Sequence, residues 1–97
     1  MRHAVSNLVA LGPMPDEDAG EEAINRWWSG LKAIQRPLDD EEAAALAKCF
    51  PPDLGYGVGW TLLHLLETAH GWSSIAETIN DEEWRSRALG AIANAQE

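Results

Sequence analysis

"YGVGWTLLHLLETAHGW", residues 56–72, decides how the rest of the chain is read. Around Leu62, Leu63, Leu65 and Leu66 the apolar side chains cover about half the circumference of a helix with 3.6 residues per turn. The pattern predicts a helix over 57–70, apolar enough to be the central element. Gly71 stands where a left-handed C-terminal cap belongs. The polar residues Thr61, His64, Glu67 and Thr68 share the remaining side, and Trp60 projects into the same sector one turn before His64.

Upstream, residues 21–35 read "EEAINRWWSGLKAIQ". Ala23, Ile24, Trp27, Trp28, Leu31 and Ile34 fall within an arc of roughly 140° at 100° per residue, which is the stripe of a core-facing helix. Pro37 ends it. The next helix opens with Asp39 and Glu42 at capping-box spacing, buries Ala43, Leu46, Ala47 and Phe50, and stops at the two prolines 51 and 52. Val5, Leu8 and Val9 have helical spacing before "GP" at 12–13, so a short N-terminal helix is expected, with a strand as the alternative.

Downstream, Ser74 and Glu77 offer a capping pattern for a short helix through Ile79. Asn80 with Glu83 opens a last helix over 81–95, with Trp84, Ala88, Ala91, Ile92 and Ala95 on one face and Leu89 at its edge. No segment shows sustained two-residue alternation, and no internal repeat is evident. The expected fold is all-α, a small bundle or HEAT-like arrangement of four to six short helices. Residues 1–97 form a single domain, with 1–20 an N-terminal segment and loop and 21–97 the helical core. A chain of 97 residues buries roughly two thirds of its unfolded surface, enough to fold without a staple.

Sixteen acidic against seven basic residues leave a net charge of −9, with the basic residues scattered. That excludes phosphate-backbone binding, which needs clustered Lys and Arg, so nucleic acid is not an expected partner. Twelve of the sixteen acids lie at 16–22, 39–42 and 81–83, each just where a helix begins and its dipole favours negative charge. The same acidity suits a basic protein partner. No membrane partner is expected either, since no apolar run approaches the roughly 20 residues of a spanning helix. The first twenty residues lack the succession that marks a secretory signal, so a cytoplasmic protein is expected. Cys49 is the sole cysteine and reads as a small buried residue near a helix end.

Three kinds of chemistry come into question. The glycines of "LGYGVGW" miss the dinucleotide fingerprint, because position 60 holds Trp where a third glycine is required, and the Walker pattern lacks its Lys-Ser or Lys-Thr. Glu67 and His70 have the i, i+3 spacing of helical carboxylate metal sites, yet His64 lies on the other side of Glu67, so the three do not converge. No nucleophile stands beside a base. The reading is therefore of a protein without cofactor or metal, not an enzyme, whose polar side of the central helix is a binding surface. Trp60 and Glu67 would anchor a partner, flanked by Thr61, His64 and Thr68. Asp16, Glu17, Asp18, Asp39 and Asp40 would steer it. A helical adaptor or oligomerisation module is the second reading, with Trp84 and the small residues of the last helix as candidates and monomer or homodimer left open. A small metal protein or enzyme using His64, Glu67 and His70 is the third.

Taken together, "LVALGPMPDEDAG", "LDDEEAAAL" and "FPPDLGYGVGWTLLHLLETAHGW" resemble a group of small, Trp-containing bacterial helical proteins. In size, acidity and helical content these are similar to immunity proteins that neutralise polymorphic toxins. The resemblance covers most of the chain and carries no catalytic signature. It implies a protein that works by binding, with an inhibitor of a basic toxin or nuclease as the leading form.

Overall fold

The computed structural model describes residues 1–18 and 21–95. They form helices α1 (His3–Ala10), α2 (Glu21–Lys32), α3 (Asp40–Leu46), α4 (Val58–Leu66), α5 (Trp72–Ile75) and α6 (Glu82–Ala95), with 3-10 turns at Gly55–Gly57 and Ala76–Thr78. Among the described residues there is no strand, and the all-α expectation holds. In the N-terminal segment His3–Ala10 is helical rather than extended, and positions 19–20 of the expected loop lie outside the described residues.

One continuous apolar cluster links every helix, from Val5 and Leu8 through Trp27, Phe50 and the leucines of α4 to Trp84 and Ala88. Full burial of each large side chain in it contributes about 1.5–3 kcal/mol before the entropy cost of ordering. α4 packs on α2 and α3, and α3 packs in turn on α1 and α5, so these two helices share the centre that the sequence assigns to α4 alone. α6 docks through Trp84, whose indole N–H donates to the Asp53 carbonyl (2.9 Å). Its ring meets Phe50 at a centroid distance of 5.3 Å. Gly59 lies flat against the same indole, where a Cβ would meet ring carbons. The second glycine that permits close approach is Gly30, which lets α2 close on Leu8 of α1.

Several helices are shorter than their periodicity predicts. α2 stops at Lys32, although Ile34 is still buried, because Ala33 and Ile34 bond three residues back and the chain leaves the helix before Pro37, whose peptide bond from Arg36 is cis. α3 stops at Leu46 and not at Phe50. Pro51 disfavours helix at the residue before it, and Asn80 takes over the Phe50 backbone, accepting its N–H (2.9 Å) and donating to its carbonyl (3.1 Å). α4 ends at Leu66, and the following turns use bonds from Thr68 and Ala69 to carbonyls three residues back.

The predicted caps are partly corrected. The Asp39–Glu42 capping box is present in full. Gly71, expected in the left-handed region, has φ −86° and precedes α5; its N–H donates to Asp40 Oδ1 (2.8 Å), and a Cβ there would push against the Asp40 carboxylate. The short helix begins at Trp72 instead of after Ser74, with no side-chain cap. At the start of α6, Asp81 and not Asn80 accepts an amide, that of Trp84 (3.0 Å). Asn80 is occupied with Phe50. Of the two adjacent tryptophans on α2, only Trp27 is buried; Trp28, at the edge of the predicted stripe, is 40% exposed. Trp84 is wholly buried, so it cannot present an apolar face for self-association.

Candidate partner-binding face

α4 owes its outward side to the four leucines that hold its inward one. Looking down the axis at 100° per residue, Glu67, Trp60, His64, Thr68 and Thr61 span an arc of roughly 120° in that order. Trp60, His64 and Glu67 are exposed, and the two threonines are half-buried at one border. α6 reaches this strip at Trp60, through Trp84 and Arg87, while His64 and Glu67 stay exposed.

Trp60 is 40% exposed and packed against three neighbours. Its ring stands edge-on to Trp84 at 5.0 Å, tilts against His64 at 6.4 Å and lies 5.8 Å from the Arg87 guanidinium. Arg87 also covers Trp84 at 4.6 Å and bonds Glu83 Oε2 (3.3 Å). An indole braced by such contacts turns an apolar edge to solvent and has less side-chain freedom left to lose than an unpacked one. Thr68 is different. Its hydroxyl donates to the Leu65 carbonyl (2.6 Å) and accepts the Leu38 N–H (3.0 Å), tying the segment after Pro37 to the end of α4.

The acidic residues expected to steer a partner are gathered beyond opposite ends of α4, a helix of 9 residues and so roughly 14 Å long. At the N-terminal end, the Glu17 N–H donates to Asp53 Oδ2 (2.9 Å), Glu17 Oε2 accepts the Tyr56 N–H (2.7 Å), and the Tyr56 hydroxyl donates to the Glu17 carbonyl (2.9 Å). These bonds bring Asp16, Glu17 and Asp18 beside the glycine turn. At the other end, Asp39 caps α3 and Asp40 holds Gly71. Both groups flank the outward side of α4 without converging on one point.

Two grooves border the same face. The larger, of about 610 Å³, lies between α2 and the turn into α4, with Trp28, Tyr56, Glu21, Asn25 and Thr61 around it and Ile24 and Val58 as its floor. Of these, the sequence points only to Thr61. The alternation of "GYGVG" carries the one further signal: Gly55, Tyr56 and Gly57 have φ of 56°, 52° and 85°, and this left-handed run turns the Tyr56 ring outward. Loss of water around its hydroxyl, followed by the carboxylates of Glu21, Glu17, Asp18 and Asp53, pushes the Tyr56 phenol above its ordinary value. The smaller groove, of about 440 Å³, joins Glu67 and His70 to Trp72, Ser73 and Ile92; His64 does not reach it.

Among the described residues, no three His, Cys, Asp or Glu side chains stand together as a metal site would require. Cys49 is buried, its thiol donating to the Ala45 carbonyl (3.6 Å), and burial pushes its pKa up, away from a reactive thiolate. Among the described residues no helix is long and apolar enough to cross a membrane.

Glu42 differs from the other acids at helix starts. Its spacing marks it only as a capping residue, yet its carboxylate is 2% exposed and paired with Arg2. Comparison with protein-family models, curated proteins and solved structures finds no match to this chain.

Proposed function

We propose that the chain is a cytoplasmic protein-binding module, an immunity-type inhibitor that engages a basic toxin or nuclease through the outward side of α4. The observation that carries this reading is the exposed indole of Trp60, braced on the buried Trp84 and set beside the exposed His64 and Glu67. Preorganised aromatic side chains within a polar surround are what binding hot spots are made of. The net charge of −9, with carboxylates at both ends of α4, attracts a basic surface from a distance and raises the association rate at low salt.

The test is capture of partners by the tagged protein from lysate of its native cells at low and high salt, followed by affinity and neutralisation assays with the protein captured. The expected result is a stoichiometric basic partner, bound faster at low salt, whose activity the chain inhibits. Affinity unchanged by Trp60→Ala and Glu67→Ala in folded protein would overturn the placement of the interface. A partner that keeps its full activity when bound would overturn the inhibitor reading.

A further inference from the structure

Glu21, exposed on the first turn of α2, and Tyr56, exposed on the turn into α4, face a common groove with Trp28. We propose that this groove receives an arginine side chain of the basic protein partner, with the guanidinium against the rings of Trp28 and Tyr56 and the Glu21 carboxylate at its rim. The proposal rests on the protein-binding reading and assigns it a second, more selective contact beside Trp60.

The groove is chemically suited to a cation with an apolar stem. Its volume of about 610 Å³ lies within the range of roughly 300–1,000 Å³ usual for ligand pockets. Ile24 and Val58 offer an apolar floor for methylene groups, as long basic side chains require. Tyr56 is held in place at both ends, by its amide on the Glu17 carboxylate and its hydroxyl on the Glu17 carbonyl. Trp28 already takes a cation: the Lys32 ammonium lies 5.1 Å from its centroid.

Arginine fits better than lysine. A planar guanidinium stacks on aromatic faces and carries five N–H donors, and the groove offers acceptors in the Glu21 carboxylate, the Asn25 amide oxygen and the Thr61 hydroxyl. Two other clefts are less suited. The one between α1 and α2 is lined by the chain's own Arg26 and no aromatic residue, and the one beside His70 has a single half-buried ring, Trp72.

The probe is a blocked peptide, acetyl-Gly-Ser-Arg-Ser-Gly-amide, titrated into the full chain while the Trp28 indole N–H and the Gly57 and Thr61 amides are followed by NMR. Its control carries citrulline, the neutral isostere, in place of arginine. Saturable shifts at these three sites are expected, at least about 10-fold weaker with citrulline because the charge and one paired donor set are lost. Trp28→Ala and Glu21→Gln should each weaken arginine binding at least about 5-fold, and Glu21 is exposed enough that its variant leaves the fold intact.

Equal shifts with citrulline, or unchanged arginine binding in Glu21→Gln, would overturn the proposal. So would tighter binding of free arginine amide than of the peptide, which would make this a small-molecule site. The two readings fail separately. A captured partner whose affinity falls in Trp60→Ala but not in Trp28→Ala or Glu21→Gln leaves the binding function standing and removes the groove from it. Saturable arginine binding with no captured partner removes the inhibitor function and leaves the groove's selectivity.

Discussion

The guanidinium of Arg2 closes on the carboxylate of Glu42 through two parallel bonds, Nε to Oε2 at 2.8 Å and Nη2 to Oε1 at 3.0 Å. Arg2 also donates to the carbonyls of Gln35 (2.7 Å) and Pro37 (3.2 Å), while Glu42 Oε1 accepts the Asp39 amide (3.1 Å). One ion pair thus fastens the N-terminus, the turn before α3 and the cap of α3. The Arg2 bond, opposed by burial and reinforced by the Asp39 and Arg2 amides, lowers the Glu42 pKa from 4.5 to about 2.

The sign of the pH dependence follows. A carboxylate with a depressed folded pKa contributes stability that is complete above its unfolded value and is lost as pH falls through the folded one. For Glu42 that window runs from 4.5 down to about 2. The contribution is of order 2 kcal/mol, reduced by the water that reaches the half-exposed Arg2. Denaturant unfolding of the wild type and Glu42→Gln should show a stability gap at pH 7 that shrinks steadily below pH 4.5. Arg2→Ala should destabilise the chain more than loss of an ordinary surface arginine does, because it strands a buried carboxylate. A gap independent of pH would show that the pair is not what holds Glu42 ionised.

The capping box of α3 is legible because its partners lie three residues apart and its geometry is local. Nothing local marks Arg2, because the ion pair spans 40 residues and the basic residues show no pattern. The same limit explains Trp28. A 100° periodicity places it on the edge of the stripe, and only the packing of α2 between α1 and α4 decides that this edge faces a groove. The outward side of α4 is readable because four leucines fix the inward one. Tyr56 is not, since its outward turn depends on three consecutive left-handed residues.

Two glycine-to-alanine changes should have opposite signs. Gly59→Ala drives a methyl into the Trp84 indole, which Phe50 and Trp60 hold on its other sides, so overpacking should cost about 1–3 kcal/mol. Gly90 sits exposed inside α6, and a methyl group added there would meet no atom within 4 Å, so Gly90→Ala should stabilise by about 0.5–1 kcal/mol through helix propensity and reduced unfolded-state entropy. Thermal melts of the two variants measure both. Equal signs would contradict the packing of α6 on α4.

Asn80 serves Phe50 as a neighbouring strand would. Its side-chain amide meets both the N–H and the carbonyl of that residue, and its own N–H donates to the Ala47 carbonyl (3.1 Å). Asn80→Ala leaves the two Phe50 groups without this partner at the border of the core, which should cost about 2 kcal/mol. Asn80→Asp keeps the acceptor for the N–H but turns an anion toward the carbonyl, so at neutral pH it should recover little of the loss. Chemical denaturation separates the two cases. A neutral Asn80→Ala would mean that water satisfies Phe50 equally well.

Binding and folding can be separated on the outward side of α4. Trp60 shields an edge of Trp84, so Trp60→Ala should lower stability by about 1–2 kcal/mol as well as affinity, and a loss of binding in that variant has two causes. Glu67 is exposed, and Glu67→Lys should stay within about 0.5 kcal/mol of wild type in stability. It nevertheless reverses the charge beside the Trp60 anchor. Affinity for a basic partner should fall by about tenfold or more, through faster dissociation where the anchoring contact is lost and slower association at low salt, the second effect shrinking as salt screens the charges. Kinetic binding measurements across a salt series give both quantities. A Glu67→Lys protein that folds normally and binds its partner at the wild-type rate in low salt would place the interface elsewhere on the molecule.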